Sequence, residues 1–195
     1  MKRKYLSLLV FAGVCLPSIG LAAQKSTWKI DPGNSVASFQ VRHLGVSTVR
    51  GTIAGVKGML ELDETDITKS SVDATADAAT ITTGNETRDG HLRSDEFFGA
   101  VKHPQVVFKS TSMANVGGKL KLIGDLTMAG VTRSVTLDLD GPSAPVTDAK
   151  GITRSGFSAT GVLSRKEFKF GQSSPLNLGI GDEIKFTIDI EIDKQ

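Results

Sequence analysis

"DEIKFTIDIEID", Asp182 to Asp193, is the stretch on which the reading of this chain turns. Ile184, Phe186, Ile188, Ile190 and Ile192 alternate strictly with Lys185, Thr187, Asp189, Glu191 and Asp193. Successive side chains of a strand point to opposite faces, so this segment has one wholly apolar face and one wholly polar face. The same period recurs upstream in Val135, Leu137 and Leu139, in Leu120 and Leu122, and in Leu126 and Met128. It returns in Phe157, Ala159, Gly161 and Leu163, in Val72, Ala74, Ala76 and Ala78, and in Phe39 and Val41. Long strands that hide one face and wet the other suit an antiparallel sheet rather than alternating strands and helices. Gly33, Gly117-Gly118, Gly130, Gly141 and Gly151 fall between the runs as turn residues. Gly51, Gly55, Gly58, Gly124 and Gly161 fall inside strand-like runs, where they weaken the strand but permit bulges and the sharp coiling that barrel closure needs. The expectation is an all-β chain of about eight to ten strands, closed into a barrel so that no long edge is left exposed.

The first residues read differently. Lys2, Arg3 and Lys4 precede an apolar run from Leu6 to Leu16, and Gly20-Leu21-Ala22 supplies small residues for cleavage. Residues 1–22 are therefore expected to be a secretory signal peptide, cut after Ala22 or Ala23, with the run too short to span a bilayer. Val14 stands before Cys15 where a lipoprotein signal would need a small residue. Residues 23–195 are expected to form a single domain without cysteine, resting on packing alone. Without the three leader cations, 20 of the 23 Lys and Arg remain against 21 Asp and Glu. Such a balance gives no basic face for nucleic acid.

One stretch breaks the period: "TTGNETRDGHLRSDEFFGAVKHP", Thr82 to Pro104. Thr83-x-x-Glu86 fits a capping box, with Asn85 as the alternative cap. Asp89 and Arg93 have the spacing of a helical ion pair, Gly90 weakens the helix, and Pro104 closes the segment. One short helix near 86–98 is expected. An enzyme would use His91 as base, Asp89 or Asp95 to orient it, and Arg88 to hold an anion. No nucleophile elbow accompanies them, and His43, His91 and His103 lack metal-ligand spacing, so neither catalytic nor metal residues are assigned. The favoured reading is a structural clamp in which Arg88, Asp89, His91, Arg93 and Asp95 tie the helix to the barrel. Contact with the polar end of a ligand is the alternative. The aromatic residues fall on the apolar faces together with Ala37, Ala54, Ala74, Ala76, Ala78, Ala159 and Gly161. An eight-stranded barrel is either filled by its side chains or holds one small ligand. Small residues facing aromatics favour the second, and a filled core stays open.

The chain resembles the YceI-like family of bacterial periplasmic polyisoprenoid-binding proteins over about Trp28 to Asp193. The motifs that carry the likeness are "WKIDPGNSVASFQVRHLGVSTVRGT", "TTGNETRDGHLRSDEFF", "HPQVVFKSTS", "GDLTMAGVTRSVTLDL" and "GFSATGVLSRKEFKF". Where family members often carry His, Asp and Pro, this chain has Asn34, Gly99 and Ser134, and Glu167-Phe168-Lys169 replaces Asp-Phe-Gly. The resemblance implies an extended, lipocalin-like barrel with a helix beside it and an apolar tunnel for an isoprenoid chain, without catalysis or cofactor. Carried over by motif, the tunnel residues are Phe39, Val41, Phe97, Phe98, Phe108, Leu126, Phe157, Ala159, Phe168 and Phe186. The implied partner is an isoprenoid or similar amphiphilic lipid, with transient contact to the membrane that supplies it. The competing readings are an enzyme acting on a lipid or ester through Arg88, Asp89 and His91, and a ligand-free structural or stress protein.

Overall fold

Eleven strands build the molecule in a computed structural model that describes residues 24–172 and 175–195. The expected signal peptide lies outside the described residues. The strands are β1 (Lys25–Ile30), β2 (Val36–His43), β3 (Ser47–Ala54), β4 (Lys57–Asp63), β5 (Ser71–Asp77), β6 (Gln105–Val116), β7 (Lys119–Met128), β8 (Val131–Asp140), β9 (Val146–Thr147), β10 (Thr153–Ser164) and β11 (Ile180–Lys194). Among the described residues a single α-helix, α1, spans Glu86–Arg93. The count passes the expected ten because β9 contributes two residues only.

The segment that announced the fold also organises it. Strand β11 is 15 residues long, about 50 Å at the usual rise. Along one edge it pairs with β10 from Glu183 to Asp193. Its other edge is shared: Ile184 to Asp189 face β2, and Ile192 to Lys194 face β1. All pairings are antiparallel. The ring β1-β4-β5-β6-β7-β8-β10-β11 closes on itself, and the β2–β3 hairpin widens the wall where β11 leaves β1. The outer edge of β3 is met by Thr82, with Thr52 and Thr82 exchanging two backbone hydrogen bonds at 2.8 and 3.0 Å. That bridge sets the start of α1 against the wall.

At the narrow end Trp28, Ile30 and Ile192 are fully enclosed. Facing the wider end, Phe39, Ile184, Phe186 and Ile188 point inward yet stay only half-buried, because they border a lumen. Ala54, expected inside, is exposed at the end of β3. Ala78 is buried, but it sits in a 3-10 turn (Ala78–Thr80) rather than continuing β5.

Three interior glycines have a role beyond the expected bulges. Of the two register shifts, one falls at Gly124, the partner of Ser110, and the other between Ile180 and Ile184. Gly51, Phe39, Phe186 and Gly161 are successive cross-strand partners on β3, β2, β11 and β10. A Cβ on Gly51 would lie 2.4 Å from the Phe39 ring, and one on Gly161 would lie 2.6 Å from the Phe186 ring. Phe108, whose own cross-strand partner is Leu126, reaches diagonally over Gly124, where a Cβ would lie 2.4 Å from its ring. Each ring lies along the wall over a residue with no side chain, an arrangement known to rescue strand glycines. The rings therefore line the interior instead of filling it.

Candidate functional site: an apolar lumen

The lumen consists of two chambers. The larger, about 540 Å³, is bordered by Phe39, Val41, Phe97, Phe98, Phe108, Leu126 and Phe186, seven of the ten residues assigned to a tunnel from the sequence. Its volume lies within the range of small-molecule sites. The smaller, about 120 Å³, is bordered by Phe157 and Ala159. Ala37, Val106, Phe108, Leu126, Leu137 and Ile188 border both, so the chambers meet at a waist.

Phe168 lines neither chamber. It is 1% exposed and packs near Phe170, with ring centroids 6.4 Å apart. The spacing of Phe168 and Phe170 suggests one strand face, but residues 165–171 form a turn with Lys169 at φ +60°. That turn buries Phe168 and sends Phe170 to the lumen, where its ring lies 4.7 Å from that of Phe98.

Arg165, unassigned from the sequence, holds this turn. It is 3% exposed, and its guanidinium donates to the carbonyls of Phe170, Gly181 (3.2 Å) and Ile180 (3.2 Å). Burial presses its pKa below the usual value, against the pull of the Asp182 carboxylate. Asp182 in turn accepts from Ser164 Oγ at 2.8 Å and from the Lys166 N–H at 2.9 Å. Neither parity nor spacing marks Arg165, because the carbonyls it serves include some that lie 15 and 16 residues away. Val49 also lines the chamber, and its signal was legible: Val49, Gly51 and Ile53 share one parity on β3.

The polar stretch divides into parts. Asp89 is its centre, 2% exposed, accepting from Thr82 Oγ1 (2.8 Å), the Thr83 N–H (2.8 Å) and Thr83 Oγ1. Burial pushes its pKa up, but the bonds from Thr83 and Thr82 outweigh this and hold it below the usual carboxylate range. Arg88 donates through Nε to Thr83 Oγ1 at 2.7 Å. Arg93 reaches the Ile81 carbonyl at 3.4 Å and pairs with Glu86 at 2.7 Å, rather than with Asp89 as the spacing suggested. Asn85, not Thr83, caps α1, accepting from the Arg88 N–H at 3.0 Å, because Thr83 is engaged by Asp89 and Arg88. The helix stops at Arg93 instead of running to Phe98. Ser94 bonds back to the His91 carbonyl through both N–H and Oγ, and turns carry Phe97 and Phe98 inward.

Two residues expected in the clamp lie outside it. Asp95 follows the helix end and pairs with Lys102 at 2.6 Å, both largely exposed. His91 is exposed, and its imidazole borders the mouth of the larger chamber, where no hydrogen bond or ion pair of a described residue engages it. His91 and Asp95 are thus not brought together, and the Asp89 carboxylate is occupied by threonines. Among the described residues no group of three or more His, Cys, Asp or Glu is placed to hold a metal ion.

Every ionisable residue bordering the larger chamber is basic: Arg42, His43, Arg88, His91 and Arg165. Arg42, His43 and His91 are exposed, at the opening. Among the described residues no helix is long and apolar enough to cross a membrane.

Comparison with known proteins agrees with this architecture. The YceI-like domain matches residues 28–192. The protein YceI of Escherichia coli O157:H7 is 37% identical over 172 residues, covering 86% of this chain and 87% of that one. The crystal structure of the Campylobacter jejuni YCEI protein superposes with a TM-score of 0.67 at 31% identity, over 79% of this chain and 90% of that one. A polyisoprenoid-binding domain from Saccharophagus degradans, 14% identical, shares the fold with a TM-score of 0.64 over 86% of this chain and 98% of that one. A domain match spanning nearly all the strands, together with a relative of this similarity, shows that the chain belongs to the YceI-like family.

Proposed function

We propose that this protein binds one long isoprenoid chain, of polyprenyl or quinone type, in its lumen, and stores or shuttles it in the periplasm after removal of residues 1–22. The observation that carries this reading is the two-chamber apolar lumen with polar groups gathered at one end. A branched chain running from the mouth through the waist at Ala37 would fill both chambers, with its polar end beside Arg42, His43, Arg88 and His91. The name of the Saccharophagus degradans domain points to the same class of guest.

The energetics suit a carrier. Each five-carbon unit gains about 3–4 kcal/mol on leaving water, at about 0.8 kcal/mol per methylene. A bilayer offers the same gain, so exchange between membrane and lumen is close to balanced for each unit. Such a site buffers or hands over lipid and does not trap it. The reading is one of binding: of the residues that would serve an ester- or lipid-acting enzyme, Arg88 and Asp89 are engaged by threonines at the start of α1, which leaves His91 without a carboxylate to orient it.

Competition of a long polyprenol against a fluorescent farnesyl analogue tests the reading. The expected result is displacement at one site per chain, unaffected in kind by His91→Ala. Product formed from a lipid ester and abolished by His91→Ala would replace this reading with the enzymatic one. Absence of any binding would favour the ligand-free structural protein.

A further inference from the structure

The β2–β3 hairpin and the 3-10 turn Pro175–Gly179 lie side by side at the mouth of the lumen. The Leu44 N–H donates to the Gly179 carbonyl at 2.7 Å, and Ile180 is the strand partner of His43. At this tip Leu44 is 65% exposed, Val46 79% and Leu178 99%. Other exposed large apolar residues, Met59, Val101, Val116, Val146 and Val162, sit singly on separate elements. A grouped apolar tip needs a partner where scattered residues do not.

Charge identifies that partner. Residues 36–54, the whole hairpin, hold Arg42, His43 and Arg50 and no acidic residue; residues 168–181 hold Lys169 and none either. The chain contains 21 Asp and Glu, yet none enters these two segments or the lining of the larger chamber. Arg42 also rigidifies the tip, donating to Thr48 Oγ1 at 2.9 Å and to the Gly45 carbonyl at 2.5 Å. Exposed leucine and valine beside cations, without acids, is the composition that inserts shallowly into an anionic lipid surface.

We infer that the hairpin tip and the Pro175–Gly179 turn form a docking surface for the headgroup region of an anionic phospholipid bilayer, which sets the lumen mouth on the membrane. Leu44, Val46 and Leu178 enter the interface, and Arg42, His43 and Arg50 meet the lipid phosphates. Arg42, His43, Leu44 and Pro175 belong both to the tip and to the lining of the mouth, so a chain can pass between bilayer and lumen without crossing water. The inference rests on the lumen being a lipid site, but docking is measurable independently of it.

The test uses the chain without its leader and two kinds of vesicle, pure phosphatidylcholine and phosphatidylcholine with phosphatidylglycerol. Flotation should recover the protein with the anionic vesicles, less as salt rises. Val46→Asp with Leu178→Asp, neither residue bordering the lumen, should lower partitioning by at least about twentyfold, since one charge near such a surface changes it roughly fivefold. Val101→Asp with Val116→Asp should leave it unchanged. All forms should bind the farnesyl analogue alike and melt alike. Wild type that ignores anionic vesicles, or equal losses in both double variants, overturns docking while farnesyl binding leaves the lumen reading in place. Docking without farnesyl binding does the reverse. If wild type is dimeric and the Val46/Leu178 variant monomeric, without vesicle binding, the tip joins two copies and the inference fails.

Discussion

Ala37→Phe places a ring at the waist between the chambers. Ala37 is half-buried, its Cα partners are Ile53 and Ile188, and it borders both cavities. The larger chamber keeps most of its wall, but the way to Phe157 and Ala159 closes. A short prenol such as farnesol, held in the larger chamber, should bind within about threefold of wild type. A long polyprenol must leave at least one unit outside the lumen and in water. That unit forfeits about 3–4 kcal/mol, a loss of roughly 10²- to 10³-fold in affinity. The estimate is for the protein free in solution, where the excluded unit ends in water. Overpacking costs about 1–3 kcal/mol of stability, or a melting point lower by about 2–4 °C for each kcal/mol. Competition against the fluorescent farnesyl analogue, with both prenols and with melting followed by circular dichroism, reads all three quantities. Equal loss for short and long chains in a protein that melts normally would refute the two-chamber path. So would no loss for either.

Other outcomes follow from single side chains. Gly161→Val should drive the Phe186 ring from its wall position into the lumen, and should lower prenol affinity as well as stability, the latter by about 1–3 kcal/mol, read by titration and urea denaturation. Gly90→Ala should stabilise by about 0.5–1 kcal/mol, because Gly90 lies inside α1 with nothing within 4 Å of a new Cβ; a lower urea midpoint would contradict this. Asp89→Ala should cost about 2–4 kcal/mol, since it strands Thr82 and Thr83 and frees the helix, whereas His91→Ala should stay within about 0.5 kcal/mol. The folded-state pKa of Asp89 is depressed, so its contribution is fully present above the unfolded value near 3.9 and is lost as pH falls through the folded one; the difference in stability between wild type and Asp89→Asn should shrink in that window and not at neutral pH.

Much of the barrel was legible because its information is periodic. β11 carries five apolar residues at strict alternation, and each lines a chamber or the closed end. Part of the lumen lining follows the same rule: parity puts Phe39, Leu126 and Phe186 on apolar strand faces, while their place in a tunnel, with Phe97, Phe98 and Phe108, was implied by the resemblance to the family. What failed depends on geometry without period. Phe168 and Phe170 have strand spacing, but a left-handed residue at Lys169 lets the chain turn between them. Asp95 was lost to the clamp because α1 ends at Arg93, and His91 because a short helix exposes most of its circumference. Neither parity nor spacing marked Arg165, since nothing in a sequence shows which distant carbonyls will need donors. The glycines of β3, β7 and β10 were visible, but not what covers them: a phenyl ring on the next strand is set over each only by register.

The central claim is that the lumen holds an isoprenoid lipid in the cell. The direct measurement is organic extraction of the protein purified from its native host under mild conditions, with mass spectrometry of what is released. The account predicts one dominant lipid class near one molecule per chain, its species spaced by isoprene units, and strongly reduced for the long members in Ala37→Phe. Protein that releases no lipid, or releases only the bulk phospholipids of its membrane in their ordinary proportions, would contradict it.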